Sequence, residues 1–126
     1  MNENTLLRLE GLAVLLVALG IYSQYGASWW LFAGLFLLPD LGMLGYLASP
    51  RLGAWTYNAV HTYVTPLIFA GGAFAFRATA ADYASLIGSI TLIWIAHIGF
   101  DRALGLGLKR ASGFRDTHLG RMGGEG

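Results

Sequence analysis

Residues 83–108 read YASLIGSITLIWIAHIGFDRALGLGL. The first fourteen carry no charged side chain, and His97, Asp101 and Arg102 then follow within two turns. A bilayer core of ~30 Å is crossed by about 20 mostly apolar residues rising ~1.5 Å each. The stretch therefore reads as a membrane-spanning helix with its polar residues in the last third. Working outward, three more runs have this character. Leu6 to Tyr25 is interrupted only by Arg8 and Glu10, Trp29 to Ala48 contains Asp40, and Leu52 to Phe76 contains Asn58 and His61. No run alternates with period two, which excludes a β-barrel reading.

Composition agrees. Hydrophobic residues make up 56% and charged residues 12%, about half the ~25% of a soluble domain. Cysteine is absent and the net charge is +1, so a disulfide scaffold, a cysteine-ligated metal and a basic nucleic-acid binder are excluded. The expected fold is all-α: a four-transmembrane-helix up-and-down antiparallel bundle, with helices at about 5–25, 29–48, 52–77 and 82–109. Residues 1–111 form the single domain and 112–126 a Gly-rich, loosely ordered tail in which His118 is solvated. The first span lacks the basic leader and short apolar core of a cleavable signal peptide. Arg8, Arg51, Lys109, Arg110, Arg115 and Arg121 lie on one side and Arg77 alone on the other, which places both termini in the cytoplasm. Tyr25, Trp29, Trp30 and Tyr83 fall at the outer ends, at headgroup level.

Two prolines fall inside spans. Pro39 frees the carbonyl of Leu35 and Pro66 that of Thr62, so both helices should kink. Gly42, Gly45, Gly71, Gly72, Ala73 and Ala75 are small enough for close helix packing.

Depth singles out five ionisable residues. Counting from the cytoplasmic helix ends at ~1.5 Å per residue places Glu10 about 8 Å in, Asp101 about 10 Å, Asp40 about 12 Å, His61 about 13 Å and His97 about 16 Å. Four helices thus contribute to one layer, and the outer half has no counterpart. Charge in hydrocarbon costs ~2.5–3.5 kcal/mol on insertion scales, so these groups should face inward and find partners. His97 and Asp101 share a helical face, and Tyr57, Asn58, His61, Thr62 and Thr65 form a polar stripe. The result is a polar pocket opening to the cytoplasm, lined also by Tyr57, Asn58, Thr62 and Arg102. His61, His97 and Asp101 are candidate ligands for a divalent metal such as zinc, with Asp40 or Glu10 as further ligand or general base. The structural alternative is a hydrogen-bonded network with Asp101 paired to Arg102 or Arg51. Arg102 points about 100° from Asp101 and reads as snorkelling to headgroups, or as contacting an anionic substrate group.

The strings Leu38-Pro39-Asp40-Leu41, Met43-Leu44-Gly45-Tyr46, Tyr57-Asn58, His61-Thr62-Tyr63 and Ala96-His97-Ile98-Gly99-Phe100-Asp101-Arg102 occur in order. With the ending Gly105-Leu106-Gly107-Leu108-Lys109 and Asp116-Thr117-His118-Leu119-Gly120, they resemble the small bacterial membrane family catalogued as domain of unknown function 4260. The resemblance implies a multi-pass protein of the bacterial inner membrane, and no reaction. A fainter likeness is to the YdjM-related membrane-bound metal-dependent hydrolases, which share Pro-Asp, His-Thr and His-x-x-x-Asp in that order. Their further Asp after Pro-Asp is Leu41 here.

Three functions follow as expectations. The first is a metal-dependent hydrolase acting on a lipid or amphipathic substrate. The second is transport or proton relay, which needs a homo-oligomer or partner and a polar path through the outer half. The third is a non-enzymatic subunit, structural or binding haem between His61 and His97.

Overall fold

The computed structural model describes residues 1–25, 27–80, 83–110, 113–117 and 119–121. The elements in order are α1 (Glu3–Tyr25), α2 (Trp29–Leu35), a 3₁₀ segment (Leu38–Leu47), α3 (Pro50–Val60), α4 (Val64–Ala75), α5 (Arg77–Ala80) and α6 (Ala84–Ala103). Three short strands follow, β1 (Lys109–Arg110), β2 (Gly113–Thr117) and β3 (Gly120–Arg121). The fold is thus all-α apart from this small antiparallel sheet of order β1-β2-β3. Among the described residues, three helical stretches are long and apolar enough to cross a membrane: Glu3–Tyr25, Trp29–Leu47 and Ala84–Ala103. Val64–Ala75 is a shorter apolar helix.

Local chemistry sets the helix starts. Ser28 and Ser49 each accept a hydrogen bond from the backbone N–H three residues on, at 3.2 and 3.0 Å, and Pro50 supplies the first turn of α3. α6 ends at a Schellman motif: Gly105 takes φ +85°, Leu106 N–H donates to the Asp101 carbonyl at 2.8 Å, and Gly105 N–H to that of Arg102 at 2.9 Å. The helix therefore stops six residues before the expected end at 109, because Gly105 reverses the chain.

The prolines do more than kink. Pro39 has no N–H to continue α2, and the chain winds as a 3₁₀ segment from Leu38 to Leu47. The span expected at 52–77 is two helices, separated at residues 61–63. Pro66 cannot bond to the Thr62 carbonyl, so α4 starts afresh at Val64 with Pro66 in its first turn.

Packing is inverted relative to a soluble domain. Gly11, Ala18, Ala54, Ala96 and Gly99 are buried, while Leu16, Trp30, Leu47 and Trp55 face outward. A Cβ on Gly99 would lie 2.7 Å from the Gly11 carbonyl oxygen, so α1 and α6 touch backbone to backbone. Arg8 reaches Ala103 at one end of this contact and Ala27 reaches Ser89 at the other, so the two helices run antiparallel. Gly42 and Gly45 bring the 3₁₀ segment onto α3 as expected, with the Thr56 hydroxyl 2.6 Å from the Gly42 carbonyl oxygen. Gly71 and Gly72 do not act this way: no atom lies within 4 Å of the Cβ either would carry.

The described part of the tail departs from the loose end expected. Lys109, Thr117 and Leu119 are buried, and β1 pairs with β2 in the register Lys109 to Thr117. The reading of His118 as solvated lies outside the described residues.

Candidate metal centre

The break between α3 and α4 leaves a run of carbonyls without helical partners, and side chains take them up. His61 Nδ1 lies 2.8 Å from the Tyr57 carbonyl, and the backbone N–H of His61 donates to Asn58 at 3.2 Å. The Thr65 hydroxyl donates to Ala59, Trp94 Nε1 to Val60 at 2.7 Å, and Arg102 Nη2 to His61 at 2.8 Å. Non-helical backbone at membrane depth is tolerated when it is satisfied in this way. Two of these donors come from α6, which fixes the break against that helix.

Arg102 is accordingly buried and points inward; its Nη1 holds the Leu106 carbonyl at 2.9 Å. This corrects the snorkelling expectation: the freed His61 carbonyl and the turn after α6 supply acceptors inside the protein. Among the described residues the ion pairs of Asp101 are with histidines, not with Arg102 or Arg51.

The break presents His61 toward α6 and the 3₁₀ segment. His61 Nε2 lies 3.1 Å from Asp40 Oδ1, 3.1 Å from His97 Nε2 and 3.5 Å from Asp101 Oδ2. His97 Nε2 lies 3.2 Å from Asp40 Oδ1 and 3.3 Å from Asp101 Oδ2. All four donor atoms fall within 4.8 Å of one another. Asp40, His61, His97 and Asp101 are thus brought together from three separate stretches of chain. Asp40, expected as a base or additional ligand, stands as a full member of the group.

Glu10 does not join it. α1 turns Gly11, Ala18 and Tyr22 inward, and Glu10, one residue from Gly11 and so about 100° round the helix, is exposed. Depth along a helix does not fix azimuth, and the grouping by layer failed on that account.

The donor set fits a divalent cation. Corners of a tetrahedron around a metal with bonds of ~2.0–2.1 Å are roughly 3.3 Å apart, which matches the observed edges. The His61 tautomer fits as well. A carbonyl only accepts, so Nδ1 carries a proton, which leaves Nε2, the nitrogen facing the carboxylates, as the one a metal would take. That carbonyl contact is the usual orienting partner of a metal-ligating histidine. His97 Nδ1 is buried with no hydrogen bond of normal geometry, although the Phe36 carbonyl is near enough to act on it.

The surroundings hold the imidazoles in place. Tyr57 stacks on His61 with ring centroids 3.6 Å apart and planes 10° apart. Phe36 meets His97 edge-on at 5.3 Å. Of the four side chains, Asp40 is the most exposed, at 31%, so access is from its side.

The polar stripe on α3 has mixed duties. Asn58, expected to line the pocket, clamps β1: its Nδ2 donates to the Lys109 carbonyl at 2.7 Å and its Oδ1 accepts from the Lys109 N–H at 2.6 Å. Thr62 accepts from Val64 N–H at 3.4 Å, at the start of α4. Lys109 was not foreseen as part of this region. Its Nζ lies 4.5 Å from the centre of the Tyr57 ring, burial lowers its ammonium below the ordinary lysine range, and Asp101 and Asp40 pull it back up. The signal was a lysine just past the last span, which orientation counting treats as a cytoplasmic charge.

A family model described as domain of unknown function (DUF4260) matches residues 4–122, and the chain belongs to that family. No curated protein and no solved structure matches the chain.

Proposed function

We propose that the protein is a four-span, multi-pass protein of the bacterial inner membrane with both termini in the cytoplasm. In this reading His61, His97 and Asp101 hold one divalent metal, Asp40 stands beside them as general base or further ligand, and the protein hydrolyses a lipid or amphipathic substrate. The observation that carries it is the clustering of four donor atoms, with His–His and His–Asp distances of 3.1–3.5 Å, one of them on a partly exposed carboxylate. Two nitrogen and two oxygen donors suit zinc among the divalent ions. Bound there, such an ion supplies Lewis-acid activation of water and of a carbonyl or phosphoryl oxygen.

The residues around it set the geometry. Tyr57 stacking and the Tyr57 carbonyl hold His61 in orientation, and Arg102 holds the backbone that carries it. Asp40, the exposed carboxylate, is the group placed to take a proton from an incoming water. The transport reading is disfavoured because Ser89 and Thr91, on the side of α6 away from the cluster, spend their hydroxyls on Ser85 and Ile87 carbonyls. Haem is disfavoured by geometry: Nε2 atoms 3.1 Å apart leave no room for a porphyrin plane between the rings.

The test is metal analysis by mass spectrometry on detergent-purified protein. About one zinc or other divalent ion per chain is expected, falling at least ten-fold in His61→Ala and His97→Ala. A metal-free protein whose thermal stability is unmoved by zinc or EDTA would overturn the reading.

A further inference from the structure

An apolar cleft of about 200 Å³ lies directly beside the metal centre. Leu38 and Pro39 form one wall, Val60 another, and Ile93 and Trp94 of α6 a third. Each wall runs into a metal-binding residue. Pro39 precedes Asp40, Val60 precedes His61, and Ile93 lies one turn before His97. The cleft has a structural origin in the two helix breaks. Pro39 ends α2, the chain opens after Val60, and the space between the altered windings remains unfilled.

The one polar side-chain group in these walls is neutralised. Trp94 Nε1 is committed to the Val60 carbonyl, so the indole presents hydrocarbon to the cleft and is locked in place. The exposed member of the metal centre, Asp40, follows directly on the wall formed by Leu38 and Pro39, and Leu38 is itself 51% exposed. A ligand entering past Leu38 would meet hydrocarbon along its length and four metal-binding side chains at its end. An apolar concavity with a few convergent polar groups is the usual form of a small-molecule site.

We propose that this cleft receives the hydrocarbon chain of a membrane amphiphile whose hydrolysable head group lies on the Asp40–His61–His97–Asp101 centre. The proposal rests on the metal-hydrolase reading and narrows its substrate to a lipid whose chain end is held in place. The occupant is a lipid chain because the outward surface around the cleft, including Leu37, Leu38 and Leu41, is the apolar surface that the bilayer covers.

The test uses dodecyl phosphate carrying a diazirine near the middle of its chain, photolysed with the metal-loaded protein in detergent. Peptide mapping is expected to place the label on Leu38, Val60, Ile93 or Trp94. Leu38→Trp, which narrows the mouth from an exposed position, is expected to cut that labelling at least five-fold while metal content stays at the wild-type level. Val60→Phe, which fills the cleft from another wall, provides a second variant. Label spread evenly over the outward leucines, or unchanged in both variants, would overturn the proposal. Metal content is measured on every sample. Normal metal with no cleft labelling sinks the chain site alone, whereas cleft labelling without metal sinks the hydrolase reading on which it rests.

Discussion

Two helix pairs in this protein meet backbone to backbone through glycine, and they lead to different outcomes. α1 and α6 meet at Gly11 and Gly99 as two regular antiparallel helices. The 3₁₀ segment and α3 meet at Gly42, Gly45 and Gly53, and there both windings change within a few residues. The first pair contributes shape only. In the second, the abandoned backbone bonds draw in Trp94, Arg102 and Thr65, and the redirected chain brings Asp40 and His61 to His97 and Asp101. Close packing alone joins α1 to α6, while assembling a polar site required giving up helical regularity and satisfying the backbone another way.

Substitutions test that contrast. The largest stability effect is expected at the regular contact. Gly99→Ala places a Cβ against the Gly11 carbonyl and the Leu15 N–H, neither of which can swing aside. A loss of about 3 kcal/mol, at the upper end of overpacking costs, should appear in thermal or denaturant unfolding in micelles. Unchanged stability would show that the helices separate freely, and the first half of the comparison would fail. Next comes Trp94→Phe, which keeps most of the packing and removes the donor to Val60. A fully buried carbonyl left unpaired costs about 1–3 kcal/mol, and this partly buried one should fall toward the lower end. A measured cost near zero would mean that the break is held by something other than that bond. The smallest effect is expected for Gly71→Ala on α4, where nothing lies within reach of the new methyl. Helix propensity favours Ala by up to about 1 kcal/mol, so the variant should unfold at the same temperature or slightly higher. A clear loss would reveal a close neighbour at that face.

Much of this was legible in the sequence. Apolar run lengths located the helical stretches, since length and hydropathy answer directly to bilayer thickness. Depth counting brought Asp40, His61, His97 and Asp101 into one layer because rise per residue is constant in a helix. The same counting admitted Glu10, since a layer contains every azimuth and only packing selects the inward one. Pro66 signalled a disturbance in the third span, but not that residues 61–63 would leave the helix, which depends on Trp94 and Arg102 being there to receive the carbonyls. Gly105 was a visible stop for α6 that the continuing Leu and Gly pattern concealed. The packing role of Gly11 and Gly99 had only the faint trace of small residues among leucines. Asn58 gave no hint of its partner, which lies 51 residues further along the chain.

That last separation bears on how the protein is made. Asp40, His61, His97 and Asp101 have all left the ribosome by position 101, but the strand that Asn58 grips begins at Lys109 and its partner β2 comes later still. During synthesis there is an interval in which all four are present while α3 still waits for the strand that docks on it. The order of translation thus separates the supply of the four side chains from the docking of β1 on α3.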